Sequence, residues 1–153
     1  AADPARLLQT ACRGGDVGVA RRALDMGASI EAPDQWGLSP MHSAALNRHE
    51  EVLALLLERR AAVDAPCSRS SQTALHLVAA DGAAAGTVRL LLAARANPLL
   101  RTAHGGTAVE LAQGPCETII REDLSGRLAL ARAEVEALQG RLAAAEEFCG
   151  ALQ

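Results

Sequence analysis

The sequence predicts an all-α solenoid of repeated helical pairs that ends in a long heptad-patterned helix. Three observations point that way. The tetrapeptide Ser39-Pro40-Met41-His42 returns 34 residues later as Thr73-Ala74-Leu75-His76, and 34 residues after that as Thr107-Ala108-Val109-Glu110. Leucine-rich runs keep the same register: Arg22-Ala23-Leu24 aligns with Leu55-Leu56-Leu57 33 residues on, and then with Leu90-Leu91-Leu92 35 residues further. From Leu124 onward apolar residues step by four and three. One short helical pair cannot bury its own apolar face, so about three or more must stack to share a core. The chain therefore reads as one solenoid of about four units, near residues 1–32, 33–65, 66–99 and 100–122, followed by a helix over 123–153.

The tetrapeptide, the small residues behind it (Ala44-Ala45, Val78-Ala79) and the period resemble the ankyrin repeat. That repeat has a T-P-L-H-x-A signature and a period of about 33 residues, folded as a β-turn and two helices. The resemblance covers residues 4 to about 122 and implies helix-turn-helix units with short β-turn fingers.

Unit one starts with Pro4 near a helix start, runs through Leu7, Leu8 and Ala11, and turns at Gly14-Gly15. Its second helix spans Val17 to Met26, and Gly27 is placed to end it in the left-handed conformation that only glycine adopts cheaply. In unit two Asp34-Gln35-Trp36-Gly37 forms the turn, Pro40 takes the first helical position, and the two helices cover Met41 to Leu46 and Glu50 to Arg59. Unit three carries extra residues in its turn, Cys67 to Gln72, and between its helices, Gly82 to Gly86, where insertions are tolerated. Unit four begins at Thr102-Ala103-His104-Gly105, and Pro115 starts the last helix.

Two departures from the family pattern carry physical consequences. Arg48 stands where the family has the glycine between helices, and Arg60 and Arg95 stand where it has the helix-ending glycine matched by Gly27. A non-glycine residue at positive φ costs on the order of 1 kcal/mol, so these turns should be strained or should relax.

The heptad seam comprises Leu124, Leu128, Ala131, Val135, Leu138, Leu142, Ala145, Cys149 and Leu152, with Arg132, Glu134, Gln139, Arg141 and Glu146 at the flanking positions. Two fates remain open: a coiled coil, giving a homodimer through residues 124–153 or a contact with a second partner, or an amphipathic cap over the last repeat. Alanine and cysteine at seam positions make it thin. The missing initiator Met and the helix running to the last residue suggest a piece of a longer protein.

At 153 residues and 50% hydrophobic content the chain can build a core, and with one Trp, one Phe and no Tyr that core must be Leu, Ala, Val and Ile. No apolar run approaches the ~18 residues of a membrane span, and the start lacks a secretory pattern, which implies a cytoplasmic or nuclear protein. The net charge of −3 offers no electrostatic footprint for nucleic acid. All 15 basic residues are Arg. Protection from lysine-directed modification and biased coding are the two explanations, and the Ala/Gly/Arg-heavy composition favours the second.

Cys12, Cys67, Cys116 and Cys149 lack C-x-x-C or zinc-type spacing, so neither disulfides nor a metal site is indicated. No phosphate loop, H-E-x-x-H or G-x-S-x-G motif occurs, and Gly82 to Gly86 lacks the Lys-Ser/Thr of a phosphate loop. Cys67 or Cys116 with His104 lacks an orienting third residue. The sequence thus predicts no enzyme and no cofactor.

The resemblance implies protein-protein binding on a concave face, where turns project beside inner helices. Matching the register places the finger tips at Gln35, Trp36 and Leu38, at Arg69, Ser70 and Gln72, and at Ala103 and His104. The inner helices add Ser43, Leu46, Asn47, Leu77, Ala80 and Asp81. Trp36 is the favoured anchor, since Trp is enriched among interface hot spots. Arg69 and Arg101 could meet an acidic or phosphorylated peptide. His42 and His76 occupy the tetrapeptide position that the resemblance makes structural, bonding adjacent turns. The expected partner is a protein or peptide segment. The alternatives are an architectural scaffold led by the coiled coil and a targeting module of a longer enzyme or ligase complex.

Overall fold

A computed structural model describes residues 3–151. It contains α1 (Pro4–Gly14), α2 (Val17–Asp25), α3 (Pro40–Leu46), α4 (Glu50–Glu58), α5 (Ala74–Asp81), α6 (Ala85–Ala93), α7 (Ala108–Leu111) and α8 (Pro115–Ala151), with no strand longer than an isolated bridge among the described residues. Helices α1, α3, α5 and α7 pack in series as an inner row, and α2, α4 and α6 form an outer row. The backbone divides into two compact units, the first ending at Ile120 and the second starting at Arg121.

Five helices, α1, α2, α3, α5 and α7, start where the sequence supplies a side-chain acceptor. Asp3 Oδ1 accepts the Ala5 N–H at 3.1 Å, and Asp16 Oδ1 accepts that of Val19 at 2.9 Å. The tetrapeptide is a capping box closed by histidine: His42 Nδ1 accepts the Ser39 N–H at 3.2 Å and bonds the Ser39 hydroxyl at 2.7 Å. Thr73 and His76 repeat that box at 3.1 and 2.8 Å. In the third copy Glu110 does the same work, its Oε2 accepting the Thr107 N–H at 2.8 Å.

The histidines also join units, as the resemblance implies. His42 Nε2 meets the Gln72 carbonyl at 3.0 Å and His76 Nε2 the Leu100 carbonyl at 2.8 Å. A carbonyl only accepts, so each ring carries its proton on Nε2 and is neutral, with Nδ1 bare for the capping box. Both rings are buried, 1% and 0% exposed.

Leu8, Met41, Leu53, Leu56, Leu75, Leu91 and Ile120 are fully buried, and each such side chain contributes roughly 1.5–3 kcal/mol. Ala20, Ala23, Ala44, Ala45 and Ala79 are buried beside them, and these short side chains let helices approach closely. Carboxylates stitch the loops between units: Glu31 Oε1 accepts the Ala62 N–H at 2.7 Å and Asp64 Oδ1 the Asn97 N–H at 2.9 Å.

The arginines at glycine positions do not relax. Arg48 (φ 58) adopts the left-handed shape of Gly15 (φ 79) and Gly82 (φ 66), while Arg60 (φ 64) and Arg95 (φ 68) match Gly27 (φ 89). Ser71 (φ 53), inside the lengthened turn of unit three, joins them without having been singled out from the sequence.

Unit four departs from its predecessors. Its inner helix α7 is one turn long, because Ala112 turns extended (ψ 139) and Gln113 donates its N–H to the Ala79 carbonyl at 3.1 Å. Gly114 (φ 54) then redirects the chain into α8, a 37-residue helix about 55 Å long at 1.5 Å per residue.

Candidate partner-binding face

The first finger is a tight hairpin built around one carboxylate. Asp34 Oδ1 accepts the Trp36 N–H at 2.9 Å and the Leu38 N–H at 3.0 Å, and Gly37 (φ 82) completes the turn. Gln9 of α1 anchors its root. The Gln9 amide donates to the Ala32 carbonyl at 2.9 Å and the Leu38 carbonyl at 3.0 Å, and its Oε1 accepts the Ser43 hydroxyl at 3.1 Å. That side chain is 5% exposed, so its bonds form in a protected setting.

Backbone bonds run from finger to finger. Ser68 N–H donates to the Gly37 carbonyl at 3.1 Å and Ala103 N–H to the Ser70 carbonyl at 3.0 Å. Within the second finger Cys67 N–H donates to the Gln72 carbonyl at 2.8 Å, and the Ser70 hydroxyl donates to Gln72 Oε1 at 2.8 Å. In the third, Thr102 N–H donates to the Gly106 carbonyl at 2.9 Å and Arg101 Nη1 to the Gly105 carbonyl at 2.7 Å.

The residues assigned to the face from sequence occupy different depths. Trp36 is 46% exposed and Leu46 43%, both large apolar groups in contact with solvent. Gln35, Asn47, Arg69, Ala80, Asp81, Ala103 and His104 are exposed, and Leu38, Ser70, Gln72 and Leu77 are half-buried. Ser43 is withdrawn at 2% exposure with its hydroxyl on Gln9, so it positions the finger and presents nothing to a partner. Asp81 is held by Arg48 at 2.8 Å, and Asn47 Nδ2 donates to the Ser43 carbonyl at 2.7 Å.

Two residues that the sequence did not single out help build the site. The Arg13 guanidinium lies 5.2 Å from the Trp36 ring centroid, within cation–π range. Gln9 sits 34 residues before Ser43, in the same register, and that spacing was the available signal. Arg69 Nη2 reaches the Gln35 carbonyl at 3.3 Å, so guanidinium groups stand on the ring and one residue before it. Between α1 and the first finger opens a cavity of about 490 Å³, lined in part by Arg6, Gln9, Arg13, Asp34 and Gln35.

The thiols sit in contrasting settings, three buried and Cys149 exposed. Burial pushes Cys12 up to about 12. Burial also raises Cys67, but bonds from the Ser70 side chain and from backbone groups of Ser70, Gln72 and Arg69 outweigh it and lower its pKa. Among the described residues no group of three His, Cys, Asp or Glu side chains could hold a metal ion. Among them, too, no helix is long and apolar enough to cross a membrane.

In the second unit, seam residues Leu128, Val135, Leu138 and Leu142 are 54%, 52%, 53% and 61% exposed. Ala131, Ala145 and Cys149 are exposed and Leu124 is half-buried, whereas Leu152 lies outside the described residues.

Comparison with known proteins agrees with the repeat architecture. Family models described as ankyrin repeats (many copies) match residues 8–57 and 64–112. Palmitoyltransferase Hip14 of Drosophila melanogaster is 31% identical over 97 residues, which cover 63% of this chain and 15% of that protein. The chain thus corresponds to a small part of that relative's length. Repeated tetrapeptides, interlocked fingers, paired helices and matches on both halves of the repeat region agree: the chain belongs to the ankyrin repeat family.

Proposed function

We propose that this chain is a non-enzymatic adaptor that binds a partner protein or peptide on the face formed by its fingers and inner helices. Ankyrin repeats are protein-interaction modules, and the partner-specific part of the proposal rests on Trp36. A 46% exposed Trp at the tip of a finger fixed by Asp34 and Gln9 is a large rigid anchor, presented at little entropic cost. The relative's name describes a palmitoyltransferase, but the similarity spans only 15% of its length, and no catalytic role is carried over to this chain. The four cysteines are free, which supports a reducing compartment, cytoplasmic or nuclear.

The test is affinity purification with mass spectrometry, comparing the intact chain with a Gln35→Ala/Trp36→Ala variant of confirmed fold. Partners lost from the variant support the finger face. Partners that all persist refute it.

A second reading is favoured by the exposed apolar seam of α8: the helix mediates oligomerisation or a second contact, with the repeats as a spacer. Light scattering on the intact chain and on a Val135→Glu/Leu142→Glu variant tests it. A dimer that the variant abolishes supports this reading, and a monomer in both refutes self-association.

A further inference from the structure

The charges around Trp36 are segregated. Asp34 is the carboxylate nearest to it in the finger, with Oδ1 occupied by the Trp36 and Leu38 N–H groups and Oδ2 buried, so its charge turns inward. In the adjoining cavity Asp3 is held on the Ala5 N–H. Further along the inner row, Asp81 is paired with Arg48 and Glu110 closes its capping box on Thr107.

The cations are turned the other way. Exposed Arg13 stacks on the Trp36 ring, and its one hydrogen bond is a long 3.5 Å contact from Nε to the Gln9 carbonyl of its own helix. Exposed Arg69 has one bond, to the Gln35 carbonyl at 3.3 Å. Neither is paired with a carboxylate among the described residues, and a guanidinium has five N–H donors in a planar fork. Arg6 lines the adjoining cavity together with Arg13. This cationic patch stands on a chain whose net charge is −3, so it is opposite in sign to the average surface.

We infer that the ligand of this face is an acidic peptide segment of a partner protein, which lays an apolar side chain against Trp36 and places carboxylates on the Arg13 and Arg69 guanidiniums. The inference rests on the proposed function above and names the chemistry of its partner. Bidentate carboxylate bonding suits the unused forks, and complementary charge sets specificity and association rate.

The test is selection of a phage-displayed random dodecapeptide library on the intact chain, followed by titration of synthetic copies. Trp36 is the only Trp, so its fluorescence reports occupancy of the site directly. The proposal expects peptides rich in Asp and Glu around an apolar residue, which perturb Trp36 emission and bind at least about tenfold more weakly to an Arg13→Gln/Arg69→Gln variant. It also expects weaker binding to the unaltered protein as NaCl rises from about 50 to about 500 mM, a readout that does not depend on the variant folding. Neutral or basic peptides that perturb Trp36 and bind the double variant equally well overturn the acidic partner while leaving the finger face intact. Selected peptides of which none perturbs Trp36 or depends on it overturn both.

Discussion

Replacing Arg60 by glycine raises the melting temperature, and the size of the effect follows from the backbone. Arg60 sits at φ 64 where Gly27, at the matched position of unit one, sits at φ 89. Left-handed backbone costs a non-glycine residue roughly 1–2 kcal/mol. The extra freedom that glycine gives the unfolded chain cancels about 0.4–1 kcal/mol of that. Among the described residues the Arg60 side chain has no bond to lose. The net gain is about 0.5–1 kcal/mol, or roughly 2–5 °C for a domain of this size. Arg95→Gly (φ 68) should behave alike. Arg48→Gly is the internal control: its φ of 58 is relieved equally, but it loses the 2.8 Å bridge to Asp81. That bridge is half exposed and worth about 0–1 kcal/mol, so the two effects nearly cancel. Thermal unfolding followed by far-UV circular dichroism ranks the three. Unchanged or lowered melting for both Arg60→Gly and Arg95→Gly would refute the strain argument.

Other expectations follow from single groups. Burial holds the His42 pKa below its ordinary 6.5, against weaker opposing effects of the Gln72 carbonyl and Glu31. The unfolded chain therefore binds more protons below that value, so His42's contribution is intact above pH ~6.5 and is lost as pH falls through the folded pKa. Urea unfolding from pH 8 to 5 should show the decline, and a His42→Gln variant that declines as steeply would assign it elsewhere. Gln9→Leu strands the buried Ser43 hydroxyl and the Ala32 carbonyl, at a cost of about 2–3 kcal/mol in chemical denaturation; a loss under about 0.5 kcal/mol would show that the finger root does not depend on it. Iodoacetamide at neutral pH should label exposed Cys149 well before Cys12, which is buried with its thiol pushed up to about 12. Mass mapping that finds Cys12 labelled first would contradict the packing of α1.

Much of the fold was legible because a repeat writes the same physics several times. The tetrapeptides at Ser39 and Thr73, the prolines at helix starts and the glycine-position arginines are local signals, and local signals survive translation into structure. Residues that act across units were harder to see. Gln9 looks like one polar residue in an amphipathic helix until the fold brings Ala32, Leu38 and Ser43 around it. Arg13 gained a role only when the first finger placed Trp36 beside it. Ser43 has the register of a surface residue and the burial of a core one, because Gln9 covers its hydroxyl. The single-turn α7 follows from the Gln113 bond to Ala79, a pairing that no local pattern encodes.

The most direct test of the finger face is the emission of Trp36 on titration with a partner recovered by the intact chain. Saturable change in Trp36 emission, with binding lost in Trp36→Ala, is the predicted result. Saturable binding that leaves Trp36 emission unchanged and survives Trp36→Ala would place the partner elsewhere on the molecule and contradict the proposed function.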